Sequence, residues 1–221
     1  MRVQEMIQSA YYTFNTDNSN QRFNHDFLLS LNESLNEFSN YRKWGCLRAL
    51  GSLTTTASTR TVALWDDYGT LFDVRGSIRC LAAAATSTSA IQFVAIDQMY
   101  SSYYSYSTEG TPTKCWVIGD DMYLSPIPDA AYTITALYYK RPAEITGLSG
   151  EIADPPSRYH EIIKRLVFKR LQENGYTSDR EIMINESEIQ KLYGQMAKDD
   201  NAAYGGTQIA LYDDGYTTTI G

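Results

Sequence analysis

Residues Lys114–Arg141 read KCWVIGDDMYLSPIPDAAYTITALYYKR, and the fold depends on how this stretch is resolved. An apolar run reaches Gly119-Asp120, and a second begins at Met122. A two-residue Gly-Asp link between two such runs is a strong hairpin signal, because glycine supplies the positive φ that a tight turn needs. The second run ends at Ser125-Pro126-Ile127-Pro128. Prolines cannot donate to a ladder, so the sheet must stop or cross an edge there. Asp129-Ala130 then turns the chain into Ala131–Lys140, the longest strand candidate in the sequence. Tyr132, Ile134, Ala136 and Tyr138 point one way and Thr133, Thr135, Leu137 and Tyr139 the other. A strand partly apolar on both faces is expected to be covered on both sides.

Further out, the 221 residues suit one domain with appendages. An apolar share of 43% excludes a disordered chain. Tyrosine is in excess, 18 against 7 Phe and 3 Trp, which suits strands and surfaces that meet partners. The net charge of -7 argues against a broad phosphate-gripping surface. Cys46, Cys80 and Cys115 are odd in number and lack metal-ligand spacing, so they read as reduced, mostly buried thiols. No apolar run approaches the ~20 residues that span a bilayer, and no signal peptide opens the chain. The expectation is a soluble protein with no membrane role.

On the N-terminal side, Val3, Met6, Ile7, Ala10, Tyr11 and Phe14 form one helical stripe over Arg2–Phe14. Asn15–Asn24 reads as a loop, with Asn24 or Asp26 capping a second helix that carries Phe27, Leu28, Leu31, Leu35 and Phe38 and stops near Gly45. The Thr-rich run Ala49–Thr59 reads as a linker. Three short strands are expected over Arg60–Trp65, Thr70–Arg75 and Ser77–Ala82, then an exposed loop over Ala82–Ala90 and a short helix over Ile96–Ser101. The segment Met99–Ser107, with Tyr100, Tyr103, Tyr104 and Tyr106 among serines, has the composition of an adaptable binding loop.

On the C-terminal side, Asp154-Pro155-Pro156 is a helix start. The helix buries Tyr159, Ile162, Ile163, Leu166, Val167 and Leu171, and shows Arg158, Lys164, Arg165, Lys169 and Arg170 on its other face. That basic face is the one cluster that could meet nucleic acid; otherwise it is solvated and paired with local carboxylates, or a contact with a second copy. Gly175 ends the helix, and Ser178-Asp179-Arg180-Glu181 is a capping box for a last helix to about Lys198. The remainder, Asp199–Gly221, carries Tyr204, Ile209, Leu211, Tyr212 and Tyr216, too apolar to stay free, and reads as a docking tail.

The fold class is thus α+β: N- and C-terminal helical pairs packed around a small antiparallel sheet or sandwich, with an extended C-terminal tail. The expected organisation is one domain over 1–198, its helices in 1–45 and 155–198 and a β-rich insert over 60–141, followed by the tail 199–221.

Chemistry is sparse. His25 and His160 are isolated, and no phosphate loop, zinc-protease helix, nucleophile elbow or redox dithiol occurs. The pairs Asp66-Asp67, Asp120-Asp121, Asp199-Asp200 and Asp213-Asp214 fall at predicted turns or helix ends, where aspartate serves local hydrogen bonding. Neither a catalytic residue, a metal nor a cofactor is expected. A metal-dependent nuclease or hydrolase using those carboxylates, and a Tyr-rich receptor-binding module, are the alternatives.

The order of features resembles a family. Asn32-Glu33 and Asn36-Glu37-Phe38 lie on the second helix, RTVALWDDY runs from Arg60 to Tyr68, and Pro155/Pro156 with Tyr159-His160 open the later helix. The sharpest motif is L-x-P-x-P-D-A-x-Y over Leu124–Tyr132, followed by Y-Y-x-R-P over Tyr138–Pro142. Together they are similar to the head-to-tail adaptor (connector, or tail accessory) proteins of short-tailed bacteriophages, over roughly residues 1–198. Trp65 departs from the pattern, standing where a proline is usual.

The resemblance implies a virion neck protein assembled in the host cytoplasm. It implies a ring of twelve copies under the portal protein, offering a platform to tail or nozzle proteins while packaged DNA passes without specific binding. It makes Tyr204, Ile209, Leu211, Tyr212 and Tyr216 candidates for portal docking. Tyr100, Tyr103, Tyr104, Tyr106, Tyr132, Tyr138, Tyr139, Arg158, Arg165 and Lys169 become candidates for a subunit or tail interface. If Tyr132, Tyr138 and Tyr139 are all buried within one chain, that strand is core and the interface lies elsewhere.

Overall fold

A computed structural model describes residues 2–72, 76–82, 88–102, 107–176 and 186–204. The chain divides into two compact units, Met1–Leu47 with Arg141–Gly221, and Arg48–Lys140. It is α+β, as the sequence predicts, with antiparallel pairing dominating both sheets.

The first unit is helical. Helix α1 (Val3–Thr13) buries Val3, Met6, Ile7, Ala10 and Tyr11, the predicted stripe. Helix α2 (Gln21–Tyr41) begins earlier than expected, because Asn20 and not Asn24 or Asp26 is its N-cap, accepting from the Phe23 amide at 3.0 Å. That start adds Phe23 to the buried face with Phe27, Leu31, Leu35 and Phe38. Asn24 and Asp26 instead accept from the hydroxyls of Tyr11 and Tyr176. Gly45 does not close α2. It opens a 3-10 turn, Gly45–Leu47.

A second 3-10 turn, Ser157–Tyr159, leads into α4 (His160–Glu173), so the helix proper starts six residues after Asp154. Gly175, at φ +91°, ends it as predicted. Helix α5 (Glu186–Tyr204) runs past Lys198, and its predicted capping box at Ser178 lies outside the described residues. The core is aromatic at its centre. Phe38 stacks on Trp44 with centroids 4.6 Å apart, the Trp44 indole donates to the Phe38 carbonyl, and Tyr159 and Tyr193 close round them. Such ring pairs add about 0.5–1.5 kcal/mol each beyond their area.

The second unit is a sandwich of two sheets. The strands are β1 (Arg48–Thr54), β2 (Thr61–Ala63), β3 (Tyr68–Leu71), β4 (Ile78–Ala82), β5 (Ser89–Ala90), β6 (Gln92–Phe93), β7 (Lys114–Ile118), β8 (Asp121–Ser125) and β9 (Tyr132–Lys140), with α3 (Ile96–Ser102) between β6 and β7. One sheet runs β1-β9-β4-β5, with β3 also on β9; the other runs β2-β8-β7-β6, in which β6 and β7 are parallel. The opening stretch supplies the frame. Gly119, at φ +61°, turns β7 into β8, and the Pro126–Pro128 segment carries the chain from the second sheet to the first.

Ile134, Ala136, Tyr138 and Cys80 of the first sheet join Cys115, Met122 and Leu124 of the second in one core. So the inner face of β9 is covered by the unit's own second sheet. Strand alternation puts Trp116 and Tyr123 on the far side of the second sheet, packed with Val94 and Met99 of the α3 region. Ala49–Thr59, expected as a linker, is mostly the edge strand β1, which pairs with β9 over seven residues. The expected loop 82–90 ends in β5.

Candidate interaction surfaces

The end of α5 is held by a buried carboxylate. Asp200 is 2% exposed and takes three donors: the Gly45 amide at 2.6 Å, the Cys46 amide at 3.1 Å and the Tyr159 hydroxyl at 2.9 Å. A buried carboxylate is tolerable only when hydrogen-bonded in this way. Arg42 donates to Asn201, and the Arg158 guanidinium lies over the rings of Tyr159 and Tyr204, 5.1 and 5.2 Å from their centroids. A Cβ on Gly45 would come 2.6 Å from Cβ of Tyr204, so only glycine admits the helix end this closely. Burial, and then Asp200, push the Cys46 thiol up to about 12; burial and the bond to Asp200 also raise the Tyr159 phenol. Both stay protonated at neutral pH. The root of the predicted docking tail is therefore fixed, although the sequence reading missed Asp200 and took it for a turn residue. The signal was its place on the stripe Ile189, Tyr193, Met196, Asp200.

The basic face of α4 finds its partners inside the chain. Arg165 pairs with Glu161 and Glu188, Lys169 with Glu186, and Arg170 with both Glu33 and Glu37 at 2.8 and 2.6 Å. Its hydrogen bond to Lys169 holds the Glu186 carboxyl below its usual range. Lys164 lies over the Phe168 ring. Local pairing, one of the readings of this face, engages Arg165 and Lys169 within the chain. Arg158 serves the tail root.

Tyr132, Tyr138 and Tyr139 are all buried within one chain. The Tyr132 hydroxyl donates to Asp129, and that of Tyr138 to Asp67. Tyr139 packs on Phe72. By the criterion set from the sequence, β9 is core and these tyrosines leave the list of interface candidates. Trp65, where the adaptor pattern has proline, stacks on Tyr138 at 4.5 Å and donates its indole N–H to the Ser52 carbonyl on edge strand β1. It lies against Gly51, where a Cβ would come within 2.1 Å of its ring.

What stays open on this sheet is Leu50 and Leu137, not tyrosine. Tyr100 falls in α3. Tyr103, Tyr104, Tyr106, Ile209, Leu211, Tyr212 and Tyr216 lie outside the described residues.

His160 is buried with Nε2 2.7 Å from the Pro155 carbonyl, a structural histidine rather than a ligand, and burial holds it below its ordinary value. Among the described residues no three His, Cys, Asp or Glu side chains converge as metal ligands, and no helix is long and apolar enough to cross a membrane.

No curated protein matches the chain. The family model described as SU10 adaptor protein matches residues 1–210, spanning both units and the whole of α5. In agreement with the resemblance carried by Leu124–Tyr132 and Tyr138–Pro142, the chain belongs to the SU10 adaptor protein family, phage adaptor proteins.

Proposed function

We propose that this adaptor forms a ring beneath the portal, extends the DNA channel and receives the tail proteins. It joins the capsid to the tail at the virion neck. The observation that carries this reading is the fixed root of the C-terminal stretch: Asp200, Arg158 and Gly45 hold α5 to its last described residue, Tyr204. Beyond that root, the sequence places Ile209, Leu211, Tyr212 and Tyr216, apolar side chains suited to docking on the portal. A held root lowers the entropic cost of docking the stretch that follows it. The net charge of -7 fits a passage through which DNA slides without being gripped.

The test is to mix purified full-length chain with its portal and measure the mass of the product. A complex with about a dozen bound copies supports the reading. Removing residues 205–221 should lower portal affinity while leaving the fold intact, because the cut falls after the Asp200 anchor. Removing 199–221 would destroy the anchor as well and confuse docking with folding.

A further inference from the structure

The turn that closes α4 carries the one Asn-Gly pair in the chain, Asn174-Gly175. Both residues are exposed. The turn has the two hydrogen bonds of a Schellman motif. The Tyr176 amide donates to the Leu171 carbonyl and the Gly175 amide to the Gln172 carbonyl, each at 3.0 Å. Gly175 sits at φ +91°, in the left-handed region, with nothing within 4 Å of the place a Cβ would take. The motif returns the chain to α2. The Tyr176 ring packs edge-on against Phe23 with centroids 5.0 Å apart, and its hydroxyl donates to Asp26 at 2.7 Å.

In an Asn-Gly pair the asparagine amide is open to attack by the chain's own backbone, because glycine puts no side chain beside the attacking nitrogen. The Gly175 nitrogen bonds to Cγ of Asn174, the Cγ–Nδ2 bond breaks, and ammonia leaves with the proton that the Gly175 amide gives up. The product is a five-membered succinimide. Water then opens it. Attack at Cγ leaves aspartate at 174. Attack at the main-chain carbonyl carbon leaves isoaspartate, with the chain rerouted through Cγ and lengthened by one carbon. The overall change is amide plus water to acid plus ammonia, and solvent is the only co-reactant.

The folded turn opposes the first step twice. Ring closure needs the Gly175 nitrogen to rotate about the Asn174 Cα–C bond until it lies beside Cβ. At ψ 4° it lies alongside the Asn174 amide nitrogen instead. Its N–H is also engaged by Gln172. We propose that Asn174-Gly175 is a deamidation site gated by the end of α4, intact while the Schellman turn is closed and converted when that turn opens. Helix ends are where native chains open at lowest cost. Conversion then holds the turn open. A carboxylate at 174 adds negative charge beside Glu173 at the C-terminal end of the helix, where the dipole disfavours it. The extra chain carbon of isoaspartate breaks the spacing on which both turn hydrogen bonds depend, and releases Tyr176 from Phe23 and Asp26.

The test is to incubate the full-length chain at neutral to mildly alkaline pH, folded and in guanidinium chloride, and to follow the tryptic peptide Leu171–Arg180 by mass spectrometry. Aspartate and isoaspartate forms both carry the mass gain of acid over amide, and chromatography separates them. Conversion in denaturant should exceed that of the folded chain by about tenfold or more. Tyr176→Ala removes both contacts that hold the turn, and should raise the folded rate several-fold while leaving the rate in denaturant unchanged. Tyr176→Phe, lacking only the hydroxyl, should raise it less. Asn174→Gln, whose longer side chain would have to close a six-membered ring, should show no gain. Chain converted in denaturant and returned to buffer should unfold at a lower denaturant midpoint than unincubated chain carried through the same steps. Equal rates in the folded and unfolded chain overturn the gate, and no conversion in denaturant overturns the site. A converted chain with an unchanged midpoint overturns the release of Tyr176.

Discussion

At the scale of single residues, one carboxylate does most to fix the end of the helical unit. Asp200→Ala would strand the Gly45 and Cys46 amides and the Tyr159 hydroxyl in a buried site. The expected cost is about 2–4 kcal/mol, read as a lower urea midpoint with unchanged slope. His160 makes a separate prediction. Its folded-state pKa lies below the ordinary value of about 6.5, so between the two values the unfolded chain binds more protons. The stabilisation is complete above about pH 6.5 and is lost as pH falls towards the folded value. Denaturation midpoints should therefore drop between pH 7.5 and 5.5, and His160→Gln should flatten that slope. In the sandwich, Gly51→Ala would drive a methyl into Trp65 and unstack it from Tyr138. A loss of about 1–3 kcal/mol is expected, with a changed near-ultraviolet tryptophan signal. Asp200 was legible only as a charge on an apolar stripe. Gly51 was not legible, since nothing local to it reveals an indole brought from Trp65.

At the scale of elements, periodicity resolved what local side chains decide and failed where a distant partner decides. The stripes of α1, α2 and α4 and the long strand β9 follow from alternation and spacing that any packing surface demands. Strand β1 was missed because RALGSLT has two small residues on its buried side and one leucine facing out, so no amphipathic pattern survives. Its strand character comes from pairing with β9. The start of α2 was misplaced because the Asn-rich loop offers several equivalent caps, and burial of Phe23 chooses among them. On α4 the two arginines separate by environment. Arg170, 29% exposed and held by two glutamates, should cost about 1–2 kcal/mol when replaced by alanine; Arg165, more exposed, should cost about 0.5 kcal/mol or less. Paired thermal melts at low and high salt measure the difference.

At the scale of the whole molecule, the chain is two units, where one domain over 1–198 followed by a tail was expected. The β-rich part was expected over 60–141 and the second unit is Arg48–Lys140, the difference being the unrecognised β1. The tail was expected from Asp199, whereas α5 continues through Tyr204, because Asp200 keeps the last turn on the core. This shift matters for function, since it separates a folded root from the stretch proposed to dock. The measurement that bears most directly on the adaptor reading is the mass of the product formed from full-length chain and portal, compared with the chain ended at Tyr204. The account predicts a stable complex of about a dozen copies for the full chain and markedly weaker binding for the shortened one. A full-length chain that remains folded but never associates with the portal would contradict it.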